Sequence, residues 1–178
     1  AVADATMKTI AGKMYCVYIV LLRSVSGTEA HPLPPRIEEG VESYDGWTRT
    51  FDAVPNHLQK QIKALVCDSH RGLVYNGKRR GWKVQRCNFH LLKSLSVRRS
   101  VKSTRGNKEI GRKLIGLANV ILTTKNQEEL TRAVNELEEI GWMSKRGSLG
   151  QIISSFLRYL DEYRTYLAYP KLKLPRTN

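Results

Sequence analysis

Four apolar residues, Ala64-Leu65-Val66-Cys67, run without a polar break into Asp68. A run this short, closed by a turn, reads as a strand buried on both faces. A strand covered on both sides needs helices to cover it, which points to an α/β architecture. A carboxylate at the carboxyl end of such a strand sits where α/β sheets place ligands. A short helix over Arg71 to Arg79 and a second strand over Trp82 to Arg86 follow. Cys87 and His90 then stand three apart at the start of a strongly basic helical stretch.

Upstream, Ala1 to Thr6 is a strand candidate ending near Asp4. Ala11-Gly12-Lys13 makes a turn, and Met14 to Arg23 has the highest strand propensity in the chain. Ala30 to Leu33 gives a third strand, and Pro32, Pro34 and Pro35 break the chain, so an antiparallel meander of three strands is expected. Ser43 can cap a helix that carries Trp47, Phe51 and Val54 on one face and closes at Pro55-Asn56. The expected order is β-β-β-α-β-α-β, with acids at the ends of the first and fourth strands.

From Asn88 onward the periodicity is helical throughout. Phe89, Leu92 and Leu95 form one face, and Ile110, Leu114, Leu117, Ala118 and Ile121 another. Asn126 with Glu129 has capping-box spacing, and Gly141 is placed to end that helix. Ser148 can cap a last helix with Leu149, Ile152, Ile153, Phe156, Leu160, Tyr163 and Leu167 inward, stopped by Pro170. The expected organisation is an α/β core over 1–87, a helical block over 88–169, and a lead-in to a further element over 170–178. Both ends read as cut from a longer protein.

The chain carries a formal charge of +14, and the excess is concentrated. Between Lys78 and Lys113 stand thirteen Lys or Arg against one acid, Glu109. Most charge runs are solvated surface. This one is dense and interleaved with apolar and aromatic residues, which favours contact with nucleic-acid phosphates. No apolar stretch is long enough to span a membrane. Three cysteines, an odd number, read as buried thiols in a reducing compartment.

Asp4 and Asp68 are the sharpest pair for chemistry. Carboxylates on paired strands can share a divalent ion, and Mg²⁺ takes few carboxylates beside waters and phosphate oxygens. The bland reading is two ordinary strand-end acids. Cys87 and His90 have the spacing of half a zinc site, but Cys16, Cys67, His31, His57 and His70 supply no second pair, and structural zinc wants four ligands. A buried Cys87, with His90 turned toward the site or its DNA, is the better reading. Glu42, Glu128, Glu136, Glu138, Glu139 and Glu162 could each be a third carboxylate; all but Glu42 lie on helices rich in exposed charge, where solvated surface is the default, and none has a local pattern that raises it.

Val2-Ala3-Asp4-Ala5-Thr6, Glu42-Ser43-Tyr44-Asp45-Gly46-Trp47, Val66-Cys67-Asp68-Ser69-His70-Arg71-Gly72-Leu73 and Gln85-Arg86-Cys87-Asn88-Phe89-His90 together resemble a DDE transposase, nearest to the Mutator-like superfamily of bacterial insertion-sequence transposases. The resemblance runs over essentially the whole chain. Asp-x-x-x-Gly followed about 20 residues later by Cys-x-x-His is specific in combination, though each part alone is weak.

The resemblance implies an RNase H-like mixed sheet with a helical insertion before a third catalytic acid. It implies Mg²⁺ or Mn²⁺ held by Asp4 and Asp68, cleavage at transposon ends, and attack of the freed 3′-hydroxyl on target DNA. The third acid in such enzymes follows a turn that Pro175-Arg176-Thr177-Asn178 resembles. It is therefore expected beyond residue 178, with little cleavage by this chain alone. Lys78, Arg79, Arg80, Lys83, Arg86, Arg98, Arg99 and Lys102 are expected on phosphates, and His90 near the scissile one. A homo-oligomer in the full-length protein and a cytoplasmic, nucleoid-associated location go with that reading. Two alternatives stay open. One is another RNase H-like nuclease, such as a junction resolvase, with its third acid inside the chain. The other is a non-catalytic DNA-binding module indifferent to loss of Asp4 and Asp68.

Overall fold

A computed structural model describes residues 1–27, 29–97, 105–143 and 148–177. The first two strands are one long hairpin. β1 (Val2–Ile10) pairs antiparallel with β2 (Lys13–Arg23) along its whole length, from Val2 opposite Leu21 to Ile10 opposite Lys13. Ala11 and Gly12 both take positive φ, 49° and 77°, the two-residue turn whose twist matches a hairpin. β3 (Ala30–Pro32) and β4 (Arg36–Glu39) then pair with opposite ends of β2.

Helix α1 (Tyr44–Asp52) begins as its sequence dictates. The Ser43 hydroxyl accepts from the Gly46 N–H at 3.0 Å, and Trp47 and Phe51 lie on the covered side. A single turn, α2 (Asn56–Gln59), leads into β5 (Ala64–Cys67), all four of whose residues are buried. Helix α3 (Arg71–Arg79) returns the chain to β6 (Lys83–Arg86), parallel to β5. β5 is also parallel to β1, through Val2 opposite Val66 and Ala3 opposite Cys67. The six-stranded mixed sheet therefore runs β3-β2-β1-β5-β6, with β4 also on β2.

Tyr18 and Val20 of β2, Ala3 of β1, and Leu65 and Cys67 of β5 pack with Trp47, Phe51, Leu73 and Trp82 in the core. Trp47 stacks on Phe51, and Tyr18 meets Trp47 edge-on. Burying each aromatic contributes about 2–3 kcal/mol. Asn76, fully buried on α3, ties α3 to α1: its amide donates to Tyr44 O at 3.2 Å and to Gly72 O at 3.0 Å, and its carbonyl accepts from the Thr48 hydroxyl.

The contacts divide the chain into one unit of Ala1–Cys87 with Ala168–Asn178 and a second of Asn88–Leu167. The second unit is helical: α4 (Asn88–Val97), α5 (Arg105–Thr123), α6 (Gln127–Met143), α7 (Ser148–Arg158), α8 (Leu160–Tyr163) and all but the last residue of α9 (Thr165–Ala168). Leu95, Leu114, Ala118, Ile121, Leu137 and Phe156 form its core. Arg164 donates to the carbonyls of Ile121 and Thr124, and the Tyr166 hydroxyl to Leu122 O, which satisfies the open carboxyl end of α5.

Several expectations are corrected. The prolines interrupt the sheet without ending it, and β4 forms after Pro35, so the described order before β5 is four strands and two helices. β1 does not stop near Asp4, because β2 keeps pairing with it out to Ile10; only its pairing with β5 stops there. Phe89 is exposed, and Leu91 with Leu95 makes the inward face of α4. Ile110 is exposed as well. Gly141 lies within α6 rather than ending it; Ile153 packs where a side chain would stand. The last long helix breaks at Tyr159 into shorter turns. Asn126 caps α6 as expected, accepting from Glu128 N and Glu129 N, but the Glu129 carboxylate bonds Thr124 instead of closing the box. All three cysteines are buried, and none is in a disulfide.

Glu38 on β4 accepts from Arg36 Nε at 2.5 Å and from both Nε and a terminal nitrogen of Arg49 at 2.8 and 2.6 Å. The Arg49 hydrogen bonds, then those of Arg36, hold its carboxyl at about 2, below its ordinary 4.5. A depressed carboxyl stabilises the fold above its unfolded pKa and loses that contribution as pH falls through the folded one. Urea unfolding of Glu38→Gln should show a loss of about 1 kcal/mol at pH 7, and the gap to the parent should close as pH drops from 4.5 toward 2. A pH-independent gap would contradict the clamp. A Cβ on Gly72 would lie 2.7 Å from the backbone Cα of Tyr44, which cannot swing aside. Gly72→Ala should therefore cost about 1–3 kcal/mol in the same assay by forcing α3 off α1; a neutral result would show that the two helices move apart freely.

Candidate active site

The parallel pairing of β1 and β5 positions two carboxylates. Ala3 stands opposite Cys67, so Asp4 and Asp68 are each one residue beyond the last registered pair, at the same level on neighbouring strands. Neighbouring strands lie about 4.8 Å apart. β6 continues the row, because Cys67 faces Arg86 and the Cys87 N–H donates to Cys67 O at 2.7 Å. Asp4 and Asp68 are both partly buried. Each is oriented by a local bond: Asp4 Oδ1 accepts from Ala5 N at 2.9 Å, and Asp68 Oδ1 from His70 N at 2.9 Å.

Glu42 belongs to the same neighbourhood. Its Oε1 accepts from Trp47 Nε1 at 2.7 Å and lies 3.2 Å from His70 Nδ1, which is out of line for a hydrogen bond. Burial pushes the Glu42 carboxyl above its ordinary value, opposed by the Trp47 N–H and His70; the negative charges of Asp68 and Asp4 add to the rise. The charges of both aspartates thus reach Glu42. Among the candidate glutamates Glu42 alone lies off the charge-rich helices, but no local pattern marks it as part of a site. The signal that could have found it is a buried indole N–H, which needs an acceptor, five residues after an acid that precedes the N-cap.

The acids meet the demands of a hard divalent cation in one respect. Mg²⁺ is commonly held by one or two carboxylates, with water and substrate phosphate oxygens filling the other positions. Among the described residues no three His, Cys, Asp or Glu side chains converge closely enough to form a protein cage. The donor set suits Mg²⁺ or Mn²⁺ shared with a phosphate and does not suit structural zinc.

The basic residues separate into two groups. β6 begins with Lys83 opposite Ala64, at the end of the sheet away from Asp68. Lys78 and Arg79 are exposed at the carboxyl end of α3, and Arg79 donates to the Tyr44 hydroxyl at 3.0 Å. Arg80 is committed to the fold, bonding Asp52 and Asn76 and lying over the Phe51 and Trp82 rings. Arg86 is buried at the acid-bearing end of β6. In the helical unit, His90 packs edge-on against Phe89, and its buried Nδ1 has no hydrogen-bond partner among the described residues. Cys87 is buried at the end of the first unit. Arg98, Arg99 and Lys102 lie outside the described residues.

No helix among the described residues is long and apolar enough to cross a membrane. No curated protein matches the chain. The family model described as "Transposase, Mutator family" matches residues 27–174, a span that includes Glu42, Asp68, Cys87 and His90 and leaves Asp4 outside. With that match over well more than half of its length, the chain belongs to the Mutator family of transposases.

Proposed function

We propose that this chain carries the DDE-type, metal-dependent chemistry of a transposase, on an RNase H-like core whose first two acids are Asp4 and Asp68. The observation that carries this reading is the register of β1 with β5, which aligns two carboxylates at one level on adjacent parallel strands. A hairpin meander followed by parallel strands added beside β1 is compatible with the same core. Asp4 and Asp68 would hold Mg²⁺ or Mn²⁺, which when bound supplies Lewis-acid activation of water and stabilises a leaving oxygen.

The chain's own residues then have separate tasks. Asp4 and Asp68 present fixed negative charge to the cation. Glu42 restrains His70, whose backbone N–H orients Asp68, and Trp47 anchors Glu42 to the core. Lys78, Arg79 and the basic stretch that follows hold DNA phosphates, giving affinity that falls with salt. Hydrolysis by water leaves a 3′-hydroxyl and a 5′-phosphate. That hydroxyl then attacks a target phosphodiester and displaces the target strand's 3′ oxygen, with no covalent protein intermediate. Two carboxylates form a weak site, so cleavage by this chain alone is expected to be slight.

Metal binding is therefore the direct readout. In a Mn²⁺ titration followed by water-proton relaxation, Asp4→Asn and Asp68→Asn should each weaken binding about tenfold or more. Asp161→Asn, an exposed acid of the helical unit, should leave it unchanged. Parent-like Mn²⁺ binding by Asp68→Asn would overturn the assignment.

A further inference from the structure

A groove of ≈ 720 Å³ opens on the first unit beside the amino ends of β5 and β6. The acids stand at the other end of these strands, about 13 Å away along β5 at 3.3 Å per residue. Lys60, Lys63, Lys83 and Lys171 line the groove and are exposed, and no carboxylate is among its lining residues. Its remaining cation, Arg80, is neutralised by Asp52. The Lys63 carbonyl accepts from Lys83 N at 3.0 Å, so these two lysines spring from joined strand starts. The exposed ring of Tyr169 forms part of the lining, with the Lys83 ammonium 4.9 Å from its centroid.

Lysines scattered on a surface are ordinarily solvated. These four converge on one concavity, beside an accessible aromatic ring. Lysine presents a point charge, without the planar fork with which arginine grips a single phosphate. The groove offers a rim of such charges instead of one enclosed anion pocket, which suits a phosphate chain passing along it. Aromatic faces interleaved with cations are how single strands are held without sequence preference.

We infer that this groove binds the sugar–phosphate backbone of a single DNA strand, as a second nucleic-acid site separate from the acids. The choice of DNA rests on the transposase reading; the groove itself does not depend on Asp4 or Asp68.

The test is fluorescence anisotropy of a labelled single-stranded oligonucleotide across a salt series, using the 178-residue protein. Lys60→Glu/Lys63→Glu/Lys171→Glu should weaken binding at least tenfold and lower the log–log salt slope by about 2, at about 0.7 per phosphate contact. Tyr169→Ala should weaken binding about fivefold or more by removing stacking. The control Lys8→Glu/Lys125→Glu/Arg132→Glu makes the same charge change at exposed sites elsewhere, and should have a clearly smaller effect. Equal losses in the two triple variants, an unchanged slope, or competition by inorganic pyrophosphate with no strand binding at the groove would overturn the inference. Circular dichroism melts of both triples confirm that folded proteins are compared. Mn²⁺ binding should be intact in the groove variant, and strand binding intact in Asp4→Asn/Asp68→Asn. Loss of metal binding with a preserved groove effect would therefore sink only the catalytic reading.

Discussion

Two residue pairs, Val2 with Val66 and Ala3 with Cys67, hold the antiparallel hairpin to the parallel half of the sheet. Everything proposed for the acids depends on that short ladder. A slip of one residue would send Asp4 and Asp68 to opposite faces, because side chains alternate along a strand. Register is secured by burial. Ala3 and all of β5 are packed in the core, so a slip would drive apolar side chains out and polar ones in. The same core sets the position of α1, and through Trp47 and Glu42 it reaches the loop that carries Asp68.

Charge is distributed along the strands as well as across the chain. At the carboxyl ends of β1 and β5 stand two aspartates, and their charges add to the burial that raises the Glu42 carboxyl above its ordinary value. At the amino ends of β5 and β6, lysines gather around a groove without an acid in its lining. One short parallel pair thus separates the two aspartates from the lysine-lined groove. On the strand-transfer reading proposed above, contacts with DNA in more than one place would be of use.

Much of this was legible in the sequence. The run ending in Asp68, the Ser43 cap, the Trp47–Phe51 face and the helical character after Asn88 all come from local periodicity, which the fold obeys. What was not legible depends on contacts distant in the chain. The extension of β1 to Ile10 is decided by β2, and the exposure of Phe89 by which face of α4 has a partner. β4 forms because the free edge of β2 is available after Pro35. Glu42 has no local pattern that ties it to Asp68, since its contact with His70 is made across the fold. The groove draws Lys60, Lys63, Lys83 and Lys171 from remote positions, so a count of charge along the chain could not find it. Lys83, expected on phosphates, stands at the end of β6 away from the acids, which only strand direction decides.

The central claim is that Asp4 and Asp68 share one divalent ion. Anomalous diffraction from crystals soaked in Mn²⁺ addresses it directly. The account predicts a peak between the two carboxylates, with oxygens of both as ligands, and its disappearance in Asp68→Asn crystals. Mn²⁺ bound to only one of these acids, or a peak at other side chains with none between them, would contradict it.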